Sequence, residues 1–155
     1  MKVIRVYIDT SIIGGKFDSE FQKVSLKFFE QVKENKFHLI ISTLVQEEIV
    51  AAPEHVKIFL DELKPNATLI EVTEPALRLR EAYLKANIVS KKNSNDALHV
   101  ALATVNNCPI IVSWNFKHIV HYEKIALYNS INILEGYQSR QVGTIYSPME
   151  VISYE

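Results

Sequence analysis

The chain has 155 residues, enough to bury a genuine core as one domain spanning residues 1–155. Apolar residues make up 48% and charged residues 23%, with few Gly and Pro, which excludes a disordered or collagen-like chain. The formal charge of −1 excludes attachment to nucleic acid by bulk positive charge, and the single cysteine, Cys108, excludes an internal disulfide and fits a reducing cytoplasm.

The N-terminal apolar run ends at Asp9, too early for a signal peptide, and nothing in the pattern reads as a membrane span. Val3 to Ile8 is rich in β-branched residues and stops at Asp9-Thr10-Ser11, the pattern of a buried strand entering a polar loop that Gly14-Gly15 continues. Ser19 and Gln22 have capping-box spacing, and Phe21, Val24, Phe28 and Val32 recur at helical intervals, which predicts a helix over about 19–35. Phe37 to Ile41 reads as the second strand. Ser42 and Thr43 can cap a third element, Thr43 and Gln46 repeating the capping-box spacing, and that helix carries Glu47 and Glu48 until Pro53 interrupts it; Glu54 to Lys64 forms another.

Ala67 to Val72 reads as a short strand, and Thr73-Glu74-Pro75 supplies a cap and an early proline for a helix reaching about Ala86. Asn93-Ser94-Asn95 is a capping cluster before a helix from Asp96 to Asn106, with Leu98, Ala101, Leu102 and Val105 on one face. Pro109 to Val112 is the next strand, a helical stretch lies within Tyr122 to Leu134, and a short β segment near Thr144 to Tyr146 follows. Strands separated by helices of this length pair in parallel, so the expected fold is a three-layer α/β/α sandwich. Ligands in such sheets bind beyond the carboxyl ends of the strands, where strand order reverses.

Four oxygen-bearing side chains fall at such places. Asp9 follows the first strand, where a turn or cap role is the ordinary alternative. Helical spacing sets Glu48 beside Leu44 and Val45, while its neighbour Glu47 points about 100° away. Asp96 lies in the first turn of its helix, a position the macrodipole favours for any carboxylate by roughly 0.3–1 kcal/mol. Asn115 follows the strand ending in Val112-Ser113-Trp114. Gathered at one crevice, such groups suit Mg²⁺ or Mn²⁺, which take hard oxygen ligands and activate water for in-line attack on a phosphate.

These motifs run in a fixed order: Asp9-Thr10-Ser11 after the first strand, Ser42 six residues before Glu48, Asp96-Ala97-Leu98-His99 opening a helix, and Ser113-Trp114-Asn115-Phe116 after a strand. On them nearly the whole chain resembles the PIN-domain nucleases, in particular the VapC-like toxins of toxin–antitoxin pairs. The resemblance implies a PIN-like parallel sheet of about five strands, a Mg²⁺- or Mn²⁺-dependent endoribonuclease acting on RNA, and metal ligands at Asp9, Glu48 and Asp96. It also implies homodimers and, for a toxin, a small antitoxin protein as partner. The family pattern has Asp at position 115, where Asn115 offers a neutral carbonyl oxygen and weakens a second metal.

Thr10, Ser11 and Ser113 are candidate supports for Asp9 or for the metal's waters, against ordinary loop capping. His99 lies one turn past Asp96 and is expected to be a satisfied packing histidine before a residue of the crevice rim. Lys91, Lys92, Lys117 and His118 flank the site as a local basic patch for the RNA backbone, against the ordinary solvated lysine.

Other chemistries fit less well. His118 and His121 have no paired histidine motif elsewhere for zinc, and Gly14-Gly15 has no following Lys-Ser or Lys-Thr for a phosphate loop. Asp9 has no acidic neighbour, unlike a phosphoacceptor domain. One alternative of another class stays open: a PIN-like scaffold with weakened catalysis that serves as an RNA-binding or protein-interaction module. Asn115 supports it; three like charges at one place oppose it, because buried like charges cost stability without a cation.

Overall fold

The computed structural model describes residues 2–137 and 144–154. The β-branched runs become β1 (Ile4–Ile8), β2 (Phe37–Ser42), β3 (Thr68–Ile70), β4 (Ile110–Val112) and β5 (Thr144–Tyr146), paired in parallel in the order β3-β2-β1-β4-β5. The chain builds outward from β1 to β3, then returns to the other side of β1 for β4 and β5. Strand order therefore reverses between β1 and β4, and the crevice beyond their carboxyl ends is the expected ligand position.

Helices cover both faces, and the strands show why. Val6, Ile8, Leu39, Ile41 and Val112 point to one side, where they bury against α1 (Thr10–Gly15), α2 (Gln22–Lys33) and α4 (Glu54–Leu63). The alternate residues Tyr7, Ile40, Ile111 and Ile145 face α5 (Glu74–Lys85), α6 (Ser94–Val105) and α7 (Tyr122–Leu134). A strand apolar on both faces is stable only between two helix layers, so the three-layer sandwich follows from the composition of β1 and β2.

Asparagine ends three of these helices. Asn35, Asn87 and Asn107 have φ near +60°, and each sits one residue past a helix cap, with the next N–H returning to a carbonyl one turn back: Lys36 to Gln31, Ile88 to Tyr83, Cys108 to Ala103. Gly136 does the same after α7. These turns aim the chain from helix into the following strand or loop.

Two local expectations are corrected and a third is narrowed. Asp9-Thr10-Ser11 does not lead into a loop through Gly14-Gly15: residues 10–15 form α1, whose Ile12 and Ile13 are fully buried, so core burial overrides the weak helix propensity of the glycines. Gly15 is required there because an added Cβ would stand 2.7 Å from Ser25 Oγ and from Trp114 Nε1. The Ser19 capping box does not form; α2 starts at Gln22, and the Asp18 carbonyl takes the N–H groups of Phe21 and Gln22. Of the two residues offered as caps for the next helix, Ser42, which ends β2, is the cap of α3 (Thr43–Ile49), accepting the Val45 N–H at 3.3 Å, and Thr43 is already helical. A short helix α8 (Pro148–Val151) follows β5, closed by a capping box between Ser147 and Glu150.

Candidate active site

β1 delivers Asp9 to the reversal point. Its backbone is extended and caps α1, but its side chain makes no cap hydrogen bond, so the carboxylate is available for something else. Ser11 donates to Oδ1 at 2.6 Å and Ser113, just past β4, donates to Oδ2 at 2.7 Å. Both serine oxygens also accept backbone N–H groups, Ser11 from Trp114 and Ser113 from Asn115, each at 2.9 Å. Those contacts leave the hydroxyl hydrogens to the carboxylate and knit the end of β4 to the start of α1. Asp9 is only 4% exposed. Burial pushes its carboxyl above the usual range; His99, Ser11 and Ser113 oppose that shift, and the charge of Glu48 adds to it.

The direct passage from β2 into α3 sets the phase of Glu48. Glu47 is exposed and Glu48 is half-buried, with its Oε1 accepting from Thr10 Oγ1 at 2.7 Å and meeting His99 Nε2 at 2.6 Å. Burial alone would raise this carboxyl, but hydrogen bonds and charge from His99, with help from Thr10 and Asn95, hold it below the usual range. His99 is 2% exposed and both its ring nitrogens are paired, Nδ1 with the Tyr7 hydroxyl at 2.7 Å. It is thus a satisfied buried histidine, one of whose partners is a candidate site residue.

Asp96 occupies the first turn of α6 and is half-buried. Burial raises its carboxyl, Asn115, His118 and His99 counter, and Glu48 adds to the rise. Asn115 takes a definite orientation: its Oδ1 accepts the His118 N–H at 3.0 Å, and a backbone N–H can face only the oxygen of that amide. The amide nitrogen is left for Asp96. Lys91 and Lys92 lie exposed in the turn just before α6, Lys117 is exposed after Asn115, and His118 is half-buried with Nδ1 unpaired. Among the described residues, no three His, Cys, Asp or Glu side chains stand close enough to hold one metal ion between them.

The model of one family, described as the PIN domain, matches residues 6–122, which is well over half of the chain. The chain belongs to the PIN-domain family. No curated protein sequence matches it. Solved structures do: VapBC2 from Rickettsia felis bound to a DNA fragment from the VapBC2 promoter has a TM-score of 0.60 at 14% identity, covering 93% of this chain and 98% of that one. FitAcB from Neisseria gonorrhoeae has a TM-score of 0.59 at 11% identity, covering 94% of this chain and 99% of that one. At such identities the likeness shows the fold, a five-stranded parallel sheet between helices.

The oxygen donors of this edge could hold a hard cation only with water completing its shell. Mg²⁺ keeps several waters and uses one or two protein carboxylates, whereas a dry protein cage needs more ligands than converge here. Asp9 could take that role, since Ser11 and Ser113 already hold its carboxylate and a carboxylate can hold a hydroxyl and a metal together. Asn115 is less free for it: its carbonyl oxygen already accepts the His118 N–H and keeps one lone pair, while its amide nitrogen is left to Asp96.

Sequence reasoning missed Tyr7 as a member of this edge and the contact that Ser42, already one of the motif residues, makes with it. Tyr7 reads as one more apolar strand residue and Ser42 as a helix cap, yet Tyr7 Oη sits 2.8 Å from Ser42 Oγ inside the core. A phenol two residues before the strand-end acid was the available signal.

Proposed function

We propose that this PIN domain is a divalent-metal-dependent endoribonuclease whose site is the edge formed by Asp9, Glu48 and Asp96. The observation that carries the reading is Asp9: a carboxylate buried at the strand reversal, without a cationic partner in direct contact, braced by two serines. Burial of an anion is costly unless something charged completes the site. Asp9 would hold a hydrated Mg²⁺ or Mn²⁺ together with Asp96 or Glu48, and the bound ion supplies an activated water and neutralises charge on the phosphate. Ser11 and Ser113 keep Asp9 turned outward from the strand, Thr10 holds Glu48, and Asn115 steadies Asp96. Lys91, Lys92, Lys117 and His118 receive the RNA backbone as a local patch on a chain of near-zero net charge. Single-metal chemistry fits Asn115 better than two-metal chemistry.

Membership of the family, and a fold shared with VapBC2 and FitAcB, support a further part of the proposal: a toxin role, with a small antitoxin as partner. Among the described residues no helix is long and apolar enough to cross a membrane. The decisive experiment incubates the protein with mixed cellular RNA in EDTA, Mg²⁺ or Mn²⁺, beside an Asp9→Asn, Asp96→Asn double variant prepared identically. Metal-dependent cleavage by the native protein alone is the expected result. Equal behaviour of the two proteins, with no Mn²⁺ bound by either, favours the second reading, a non-catalytic RNA-binding or protein-interaction module, for which the Asn115 carbonyl already bonded to His118 is the specific support.

A further inference from the structure

The hydroxyl of Tyr7 asks for an explanation that the candidate site does not give. Tyr7 is fully buried in the middle of an apolar strand, where Phe would fill the same space without bringing a polar atom that has to be satisfied. Its hydroxyl has two partners, Ser42 Oγ at 2.8 Å and His99 Nδ1 at 2.7 Å, and the line continues from His99 Nε2 to Glu48 Oε1 at 2.6 Å. An ionised carboxylate only accepts, so the Nε2–H of His99 donates to Glu48 and the other ring nitrogen faces the phenol.

The places these residues occupy are not arbitrary. Tyr7 lies on β1 two residues before Asp9. Ser42 ends β2 and caps the helix that carries Glu48. His99 lies on α6, three residues after Asp96 and therefore on the same helix face. One buried line of hydrogen bonds thus ties together the three elements that bear the three carboxylates. In a dry interior such bonds are strong and directional, and a wrong spacing would leave polar groups unsatisfied.

We propose that Ser42, Tyr7 and His99 are positioning residues: a buried polar frame that holds in fixed relation the elements bearing Asp9, Glu48 and Asp96, so that Asp9 and one further carboxylate can share a hydrated cation. The proposal rests on the metal-dependent reading above. His99 acts on the site through Glu48, and Tyr7 acts through His99, so neither needs to touch metal or RNA.

The test measures Mn²⁺ binding, by electron paramagnetic resonance of the free ion, and thermal unfolding in the same preparations. The proteins are the wild type, Asp9→Asn, Tyr7→Phe, His99→Leu and His99→Gln. Loss of a partner that orients a metal ligand weakens binding by about tenfold to a hundredfold, and this is expected of His99→Leu, with a smaller loss for Tyr7→Phe. The Gln side chain can place an N–H where His99 has Nε2–H, so His99→Gln should recover much of the affinity. A merely structural role would lower the unfolding temperature and leave Mn²⁺ affinity alone. Wild-type affinity in Tyr7→Phe and His99→Leu, with binding lost in Asp9→Asn, would overturn the frame and leave the metal site standing. A wild type that binds no Mn²⁺ would overturn both. If His99→Leu does not fold, Tyr7→Phe and His99→Gln decide by the same criterion.

Discussion

The two ends of the sheet differ in what they bury. At the amino ends of the strands a groove of about 630 Å³ opens between α2 and α4, lined by Val3, Phe29, Phe37, His38, Leu63 and Ala67 among others. Its lining histidine is bonded near the surface, in the exposed His38–Thr68 hydrogen bond at 2.7 Å. At the carboxyl ends, Asp9, Ser42, His99 and Ser113 are all buried and joined in short hydrogen bonds. This groove and the buried polar network therefore lie at opposite ends. What marks the carboxyl end is the free energy spent on burying polar atoms, which natural sequences keep only where those atoms do something or are fully partnered.

The comparison breaks first on catalysis. Asp9→Asn or Asp96→Asn should lower RNA cleavage by more than the roughly 10–100-fold typical of losing an outer partner of a metal ligand, while His38→Ala at the groove leaves the cleavage rate unchanged. Comparable losses at both ends, in a gel assay of initial rates, would place the site elsewhere.

A second test concerns packing beneath the site. Gly15→Ala forces a Cβ to within 2.7 Å of Ser25 and Trp114, and overpacking of this kind costs about 1–3 kcal/mol. Chemical denaturation should show that loss, with cleavage reduced as Trp114 shifts the neighbouring Ser113 and Asn115. Val3→Ala, at a half-exposed position lining the groove, should stay within about 0.5 kcal/mol of the native protein.

A third test is pH. The Asp9 and Asp96 carboxyls are raised in the folded protein, so the fold binds protons more readily there than the unfolded chain does. The penalty is fully present above the raised folded values and vanishes below the unfolded ones. Metal-free protein should accordingly gain stability from these two groups as pH falls from neutral through their raised range. Glu48 works in the opposite sense: its folded value is lowered, so its contribution is present above the unfolded value and is lost as pH falls through the lowered one. Melting temperatures in EDTA should therefore rise on mild acidification before acid unfolding sets in, and Asp9→Asn should flatten the rise. A native profile flat through that range would show Asp9 to be a well-satisfied structural group.

The smallest expected effect is at Asn115. Asn115→Asp restores the charge the family pattern has there, but it also loses the amide that faces Asp96. Mn²⁺ affinity should change by only a few-fold, well under the ~10–100-fold scale of a lost ligand partner. A large gain in binding would mean that position 115 had been a missing ligand all along.

Much of this protein is written locally. The near-continuous apolar runs of β1 and β2 call for helices on either side whatever their partners are. The helical spacing of Phe21, Val24, Phe28 and Val32, and the prolines at 53 and 75, place elements to within a few residues. The acids at strand ends and helix starts could be listed for the same reason. Other features depend on residues far apart in the chain: Tyr7 meets Ser42 across 35 positions and His99 across 92, through strand register and the packing of α6 on the sheet. Gly15 is fixed by Trp114, and the direction of the Asn115 amide by the backbone of His118. Periodicity reports which face of an element is apolar, because burial acts on each residue separately. Which polar atoms then face one another is decided only when the layers close, because a hydrogen bond needs both partners in place.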